Sequence, residues 1–364
     1  MKKVRLKKKN CIIALLVLLF ILFELINPFK IIAVNKLVKM GYSRETSNKI
    51  VKLGLKNNVL NNEFSPFIEK NIISDDFDLN NYSLYAKIDY NEKTNMANVN
   101  TLINKNYSTK DISLILKRKG NVDYLLQNTK IDNLSDYLIY DYANIDYLSR
   151  YIDYKSKNDV SYEDAVTFVN IGLDKTFYED YKEINEFSYT MLVNKYNKLG
   201  NNFTPPELVS FPSEYCHGTC PEDNKTVVEA FVQMAEALKE EKNLKIYVNS
   251  AYRSFDNQEE TYNRLIKAYG PNYDVAKAGF SEHQTGLSVD IGSGSSDTFK
   301  GSKEAEWLKD NAYKYGFIFR YSSDKTKITG YNEPWHYRYV GDIAKDIYEK
   351  NITFDEYYVK YLDK

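Results

Sequence analysis

Ser281-Glu282-His283-Gln284-Thr285-Gly286-Leu287-Ser288-Val289-Asp290 decides how the C-terminal half of this chain is read. Gly286 allows a sharp turn after His283. Leu287, Val289 and Ile291 then alternate with Ser288 and Asp290, the period of a strand with one apolar face. Side chains two apart share a face, so Ser288 and Asp290 point the same way and His283 reaches the same point from the turn. A second stretch, Glu333-Pro334-Trp335-His336, completes the set. Pro334 pushes Glu333 toward an extended conformation, which excludes the helical His-Glu-x-x-His arrangement. Imidazole and carboxylate suit a catalytic zinc, which takes three protein groups and leaves its fourth position for water. If Asp290 is a metal ligand, the extended Glu333 suits a division of labour, with His336 as a third ligand and Glu333 unligated, facing the metal-bound water, whose proton a nearby carboxylate can take. Taken singly, each motif reads more readily as a hydrogen-bonded structural histidine. Only three histidines occur in the chain, and two of them beside suitable carboxylates, in one domain, make the zinc site the stronger reading.

The surrounding sequence alternates short helices and strands. Pro205-Pro206 and Pro212 punctuate a loop-rich entry, and Val228, Phe231, Ala235 and Leu238 recur at helical spacing. Leu244 to Val248 alternates as a strand. Ser254 to Asn257 starts a further helix, and Ala305, Leu308 and Ala312 mark another, stopped by Gly316. This predicts an α+β domain over 188–364, with a small mainly antiparallel sheet flanked by helices.

Upstream, 36–187 reads as short helices with a weak internal repeat. Ser43, Ser108 and Ser161 each sit where a helix N-cap is expected, with Gly54, Gly120 and Gly172 eleven or twelve residues later as stops. Ser108 with Asp111, and Ser161 with Asp164, approach a capping box. Spacings of 65 and 53 residues between the caps are too irregular for a tidy solenoid. The region offers no histidine and no cysteine. It reads as a helical spacer or a module for a protein partner. Tyrosine is abundant, 33 residues in 364, and supplies large amphipathic packing groups.

Residues 1–10 carry six lysines and arginines and no acid, a basic tail expected on the cytoplasmic side. The remainder holds 43 basic against 50 acidic side chains, a mildly acidic body with no footprint for nucleic acid. Thirteen uninterrupted apolar residues, Cys11 to Phe23, follow the tail, and further apolar residues extend to Val34. No small-x-small cleavage site follows the run. The first reading is therefore an uncleaved membrane helix over 11–34, with the lysines inside; the second is a cleaved signal peptide and a secreted product. Both place the body outside the cytoplasm. Cys216 and Cys220 are the two cysteines beyond this segment. A local disulfide is the leading reading, ahead of free thiols and of a metal site with His217.

Residues 188–364 resemble the VanY-type D-alanyl-D-alanine carboxypeptidases, zinc metallopeptidases that trim cell-wall stem peptides. Five ordered motifs carry the resemblance. They are Leu192-Val193-Asn194-Lys195, Ser250-Ala251-Tyr252-Arg253-Ser254, Ser281 to Asp290, Tyr315-Gly316-Phe317-Ile318-Phe319-Arg320-Tyr321, and Glu333-Pro334-Trp335-His336. The resemblance implies Zn2+ held by His283, Asp290 and His336, with Glu333 as general base and Arg253 as a substrate-binding or charge-stabilising group. Gln258 and Ser288 are candidate contacts to the substrate terminus; many relatives carry alanine at the Ser288 position. Glu282 and Arg320 are expected to support the site rather than react. The expected reaction releases the terminal D-alanine of peptidoglycan stem peptides or their precursors. Rival readings are an L,D-carboxypeptidase acting on tetrapeptide stems, which shares metal and base, and a non-catalytic wall-binding protein. Loss of the base or a ligand would mark the last, and all four residues are present. The resemblance stops near 188 and assigns nothing to 36–187.

Overall fold

The computed structural model describes residues 12–18, 28–271, 273–294 and 299–363. The chain forms two compact units, one comprising the residues up to Ile139 with Asn144–Asp146, the other Tyr140–Ala143 and Tyr147 onward. Residues 11 and 19–27 of the expected membrane segment 11–34 lie outside the described residues. Among the described residues no helix is long and apolar enough to cross a membrane.

The first unit is built of short helices. Ser43 and Ser108 begin two of them, Arg44–Lys52 and Thr109–Lys117, as the sequence predicts. The Ser43 hydroxyl accepts from the Thr46 N–H; Ser108 and Asp111 form a complete capping box. Gly120 ends the second segment at φ +105, and a Cβ there would lie 2.5 Å from Asn144 Oδ1, so only glycine fits. Tyr42 and Tyr107 occupy the same place in the two copies. Each buries its ring and accepts, at 3.0 Å, a backbone N–H 23 or 24 residues further on, from Ser65 and Ile131 respectively. The tyrosine content of this region thus has a packing cause: ring into the core, hydroxyl onto an otherwise orphaned amide.

The second unit begins with a third helical pair, Leu148–Lys157 and Tyr162–Ile171, with Ser161 as N-cap and Gly172 as stop. The compact unit that holds 188–364 also includes this helical pair, whose Phe168 and Ile171 pack against Tyr196 and Val359. Among the described residues eight strands come next: β1 (Lys182–Ile184), β2 (Asn197–Leu199), β3 (Leu208–Ser210), β4 (Glu222–Asn224), β5 (Ile246–Ser250), β6 (Ser288–Ser293), β7 (Phe317–Tyr321) and β8 (Glu333–Tyr339). The principal sheet has the order β5-β6-β8-β7 and is antiparallel throughout. β1 and β2 form a small parallel pair, and β3 and β4 an antiparallel one.

The helix Lys225–Lys242 covers one face of the principal sheet. Its buried stripe of Val227, Val228, Phe231, Met234, Ala235 and Leu238 includes all four positions read from the sequence. These side chains meet Val289 and Ile291 of β6, Ile246 and Val248 of β5, and Trp307 and Leu308 of the helix Lys303–Asn311. The apolar face of β6 is therefore spent on the core, which leaves Asp290 to the other side. Gly286 makes the turn before β6 at φ +66, and a Cβ there would collide with the Pro205 ring. Cys216 and Cys220 are bonded to each other, which removes the metal and free-thiol readings. The His217 ring lies against Tyr247.

Phe231 has no exposed surface and meets Phe211 and Tyr215 edge-on. Its replacement by alanine is expected to destabilise this unit by about 3–5 kcal/mol, the usual cost of emptying a buried aromatic site, as read from the urea midpoint.

Candidate metal centre and catalytic cleft

Strand register brings the ligands together. β6 and β8 pair antiparallel with Asp290 opposite His336, and β5 pairs on the other side with Ser250 opposite Asp290. Directly opposed side chains in such a pair stand close enough to touch. His336 Nδ1 lies 3.2 Å from Asp290 Oδ1. His283 sits on the 3-10 turn Glu282–Thr285, where its backbone carbonyl accepts from the Arg253 N–H at 3.1 Å. From there its Nε2 lies 3.3 Å from Asp290 Oδ2. One ligand atom from each of His283, Asp290 and His336 falls within 4.8 Å of the others.

The outer nitrogen of each imidazole is already engaged. His283 Nδ1 donates to the Ala251 carbonyl at 2.7 Å, and His336 Nε2 donates to Glu282 Oε2 at 3.2 Å. Each bond fixes the tautomer that turns the inner lone pair, Nε2 of His283 and Nδ1 of His336, toward Asp290. Tyr321 packs its ring on His336 with centroids 4.8 Å apart. Two oriented imidazoles and one carboxylate are a donor set that fits zinc with a fourth position left open.

The charges agree with a cation site. Burial pulls His283 down to about 4, with Arg253 adding to the effect, so this ring is a neutral donor near pH 7. Burial acts the same way on His336, but hydrogen bonds to Asp290 and Glu282 outweigh it and hold this ring up to about 9. Burial also works to raise Asp290, and both histidines overcome it and hold the carboxylate below its ordinary range. A proton on His336 and a metal ion are alternative ways to neutralise the same acids.

Glu333 opens β8, extended as Pro334 requires, and its Oε2 lies 3.6 Å from His336 Nδ1. Burial pushes its carboxyl up to about 7, with Asp290 and Asp274 acting in the same direction and His336 and Arg253 opposing. A divalent cation at the three ligands would draw it back toward the ordinary range. Arg253 follows β5 and is largely enclosed; burial lowers its pKa against the pull of Asp290 and Glu333. Among the described residues its Nε has no hydrogen-bond partner. Gln258 is buried, donates through Nε2 to the Ala276 carbonyl at 2.7 Å, and leaves Oε1 without a partner among the described residues. Arg253, Gln258, His283, His336 and Glu333 line one small cleft with Phe280, Tyr321 and Tyr331. A larger cavity beside β7 contains none of the predicted site residues.

Ser288 shares a face with Asp290 but is fully buried, and it stands opposite Arg338, whose guanidinium is 3.6 Å from Glu282. It lies one strand repeat from Asp290 and is not among the residues that line the cleft. Sequence reasoning also missed the length of the supporting chain. Glu282 and Arg320 were marked as support, while Asp355 and Asn194 carried no signal beyond the Leu192–Lys195 motif.

A cleft with a His-Asp-His donor set, an unligated glutamate and an enclosed arginine defines a zinc peptidase. The family model for VanY, D-alanyl-D-alanine carboxypeptidase, matches residues 222–342. The putative carboxypeptidase YodJ of Bacillus subtilis (strain 168) is 35% identical over 209 residues, spanning 52% of this chain and 76% of that protein. The bifunctional D-Ala-D-Ala dipeptidase and D-Ala-D-Ala carboxypeptidase VanXYC of Enterococcus gallinarum is 33% identical over 180 residues, 46% of this chain and 92% of that protein. A solved zinc(II) complex of a vancomycin-resistance D,D-pentapeptidase VanY, from a VanB-type cassette, is 31% identical over 47% of this chain and 99% of that one, at a TM-score of 0.41. The chain belongs to the VanY family of D-alanyl-D-alanine carboxypeptidases.

Replacing Asp290 with asparagine removes the charged ligand and leaves the strand pairing intact. Zinc bound per chain, measured by metal analysis after dialysis, is expected to fall well below the wild-type value while the far-ultraviolet circular dichroism stays the same.

Proposed function

We propose that this protein hydrolyses the terminal D-alanine from peptidoglycan stem peptides at the outer face of the cell membrane, with Glu333 as general base. The observation that carries the assignment is the position of Glu333. It shares β8 with His336, is not needed to complete the donor set, and brings its Oε2 within 3.6 Å of His336 Nδ1. Zinc at His283, Asp290 and His336 supplies Lewis-acid polarisation of the scissile carbonyl and lowers the pKa of water toward neutrality.

The chain's own groups do the rest. Glu333 takes a proton from the attacking water and returns it to the leaving amine of D-alanine. Arg253 faces the same cleft with a guanidinium whose paired N–H groups suit the substrate's terminal carboxylate or the developing oxyanion. Gln258 presents an unpaired amide oxygen at that wall, suited to an N–H of the peptide. Phe280, Tyr321 and Tyr331 narrow the cleft and keep bulk water from the reacting groups.

The membrane assignment rests on the order of the N-terminal sequence, a basic tail before an apolar run. Fractionation of cells is expected to leave the chain in the membrane pellet, with residues 188–364 accessible to protease added outside. Recovery from the medium, shortened at its N-terminus, would select the secreted alternative.

Glu333→Gln is expected to lower kcat by about two to four orders of magnitude, the usual share of general acid–base catalysis, with zinc content unchanged. D-alanine release from muropeptide pentapeptide and tetrapeptide measures both activity and specificity. Release from the pentapeptide that depends on Glu333 supports the D,D reading; release from the tetrapeptide alone replaces it with L,D. Full turnover by the variant removes Glu333 from the mechanism.

A further inference from the structure

His336 is the start of a buried chain of hydrogen bonds that leaves the cleft and crosses the domain. Its Nε2 donates to Glu282 Oε2 at 3.2 Å. The other oxygen of Glu282 accepts from Arg320 Nε at 2.9 Å. Arg320 Nη1 donates to Asp355 Oδ2 at 2.6 Å, and Asp355 Oδ1 accepts from Asn194 Nδ2 at 2.7 Å. The Glu282, Arg320 and Asp355 side chains are at most 2% exposed.

Burying so many charges is costly, and packing alone does not require them. Glu282 takes Arg320 Nε on one oxygen, with the Arg338 guanidinium 3.6 Å away, and presents the other oxygen to His336 Nε2, which pins that ring in one tautomer and one orientation. Arg320 is held at both ends. Its Nε is given to Glu282 and its Nη1 to Asp355, a fork that only a planar guanidinium presents. Asp355 is in turn fixed by its helix, Phe354–Tyr357, whose N-terminus carries a full capping box between Thr353 and Glu356. Both ends of the chain, Asn194 and Asp355, lie outside the 222–342 segment that defines the family match.

We infer that Asp355 is a positioning residue for the metal centre, acting through Arg320 and Glu282 to hold His336 in its metal-binding orientation. The inference rests on His336 being a zinc ligand. Removing the Asp355 charge frees Arg320 to swing off Glu282, and His336 loses the partner that fixes its tautomer. The effect is on the metal, at a distance of three hydrogen bonds.

Zinc affinity, measured by competition with a chromogenic chelator on the full chain, reads this without reference to turnover. Glu282→Gln is expected to weaken zinc binding by about 10–100-fold, the usual effect of losing a ligand's hydrogen-bond partner. Asp355→Asn is expected to weaken it about 10-fold, and the double variant to show no more than the Glu282→Gln loss, because both act on one chain. Arg320→Lys keeps the charge and loses the fork, and is expected to resemble Asp355→Asn even if that variant folds poorly. Ile347→Val, a conservative change in the apolar cluster that also contains Phe354 and Tyr357, serves as the stability control and is expected to bind zinc like wild type. Wild-type affinity in folded Asp355→Asn and Arg320→Lys overturns the inference and leaves a structural ion pair. Wild-type affinity in His336→Ala instead overturns the ligand assignment beneath it.

Discussion

The pairing of β6 with β8, Asp290 opposite His336, is the constraint on which the site depends. A slip of one residue would turn every side chain of β6 to the other face. Val289 and Ile291 would leave the core, and Asp290 would enter it. The register is thus set by apolar burial beneath the helix Lys225–Lys242, and the metal donors are placed as a consequence. The β5 neighbour adds a second lock, since the backbone after β5 carries Arg253 and, through its N–H, holds the turn that bears His283. Core packing and donor geometry are two readings of one hydrogen-bond ladder.

Around that ladder the protein arranges charge in layers. The donors face the cleft, where Arg253 and Glu333 share a poorly solvated space. Behind them Glu282, Arg320, Arg338 and Asp355 alternate in sign and nearly cancel, so a region with little exposed surface remains tolerable for ionised groups. Asp223 is the exception. It is fully buried and burial drives its carboxyl well above the ordinary range, with Arg338 and His336 opposing.

The sequence was most legible where a local rule has a single geometric outcome. Alternation from Leu287 to Ile291 gave strand and face, Pro334 gave the extended Glu333, serine and glycine gave the ends of the helices, and the short Cys216–Cys220 spacing gave the disulfide. Period says which face a side chain is on and nothing about depth, so it did not show that Ser288 is fully buried. The packing of Ile171 against Val359 had no local signal, since the two meet only in the folded chain. Asn194 and Asp355 are 161 positions apart, and no local pattern announces such a contact.

That separation bears on how the protein comes to be folded. In the first unit the tyrosine hydroxyls reach amides 23 or 24 residues along the chain, and contacts this local close quickly, at little cost in loop entropy. The second unit joins Tyr178 to Tyr331 and Arg338 to Met191, contacts of high contact order that form slowly. His336 gains its neighbours only when β8 docks and the Asp355 turn arrives behind it. During vectorial synthesis the helical unit can be native while the metal donors are still apart. The peptidase centre is then the last part of the molecule to exist, and no fragment ending before β8 carries a working one.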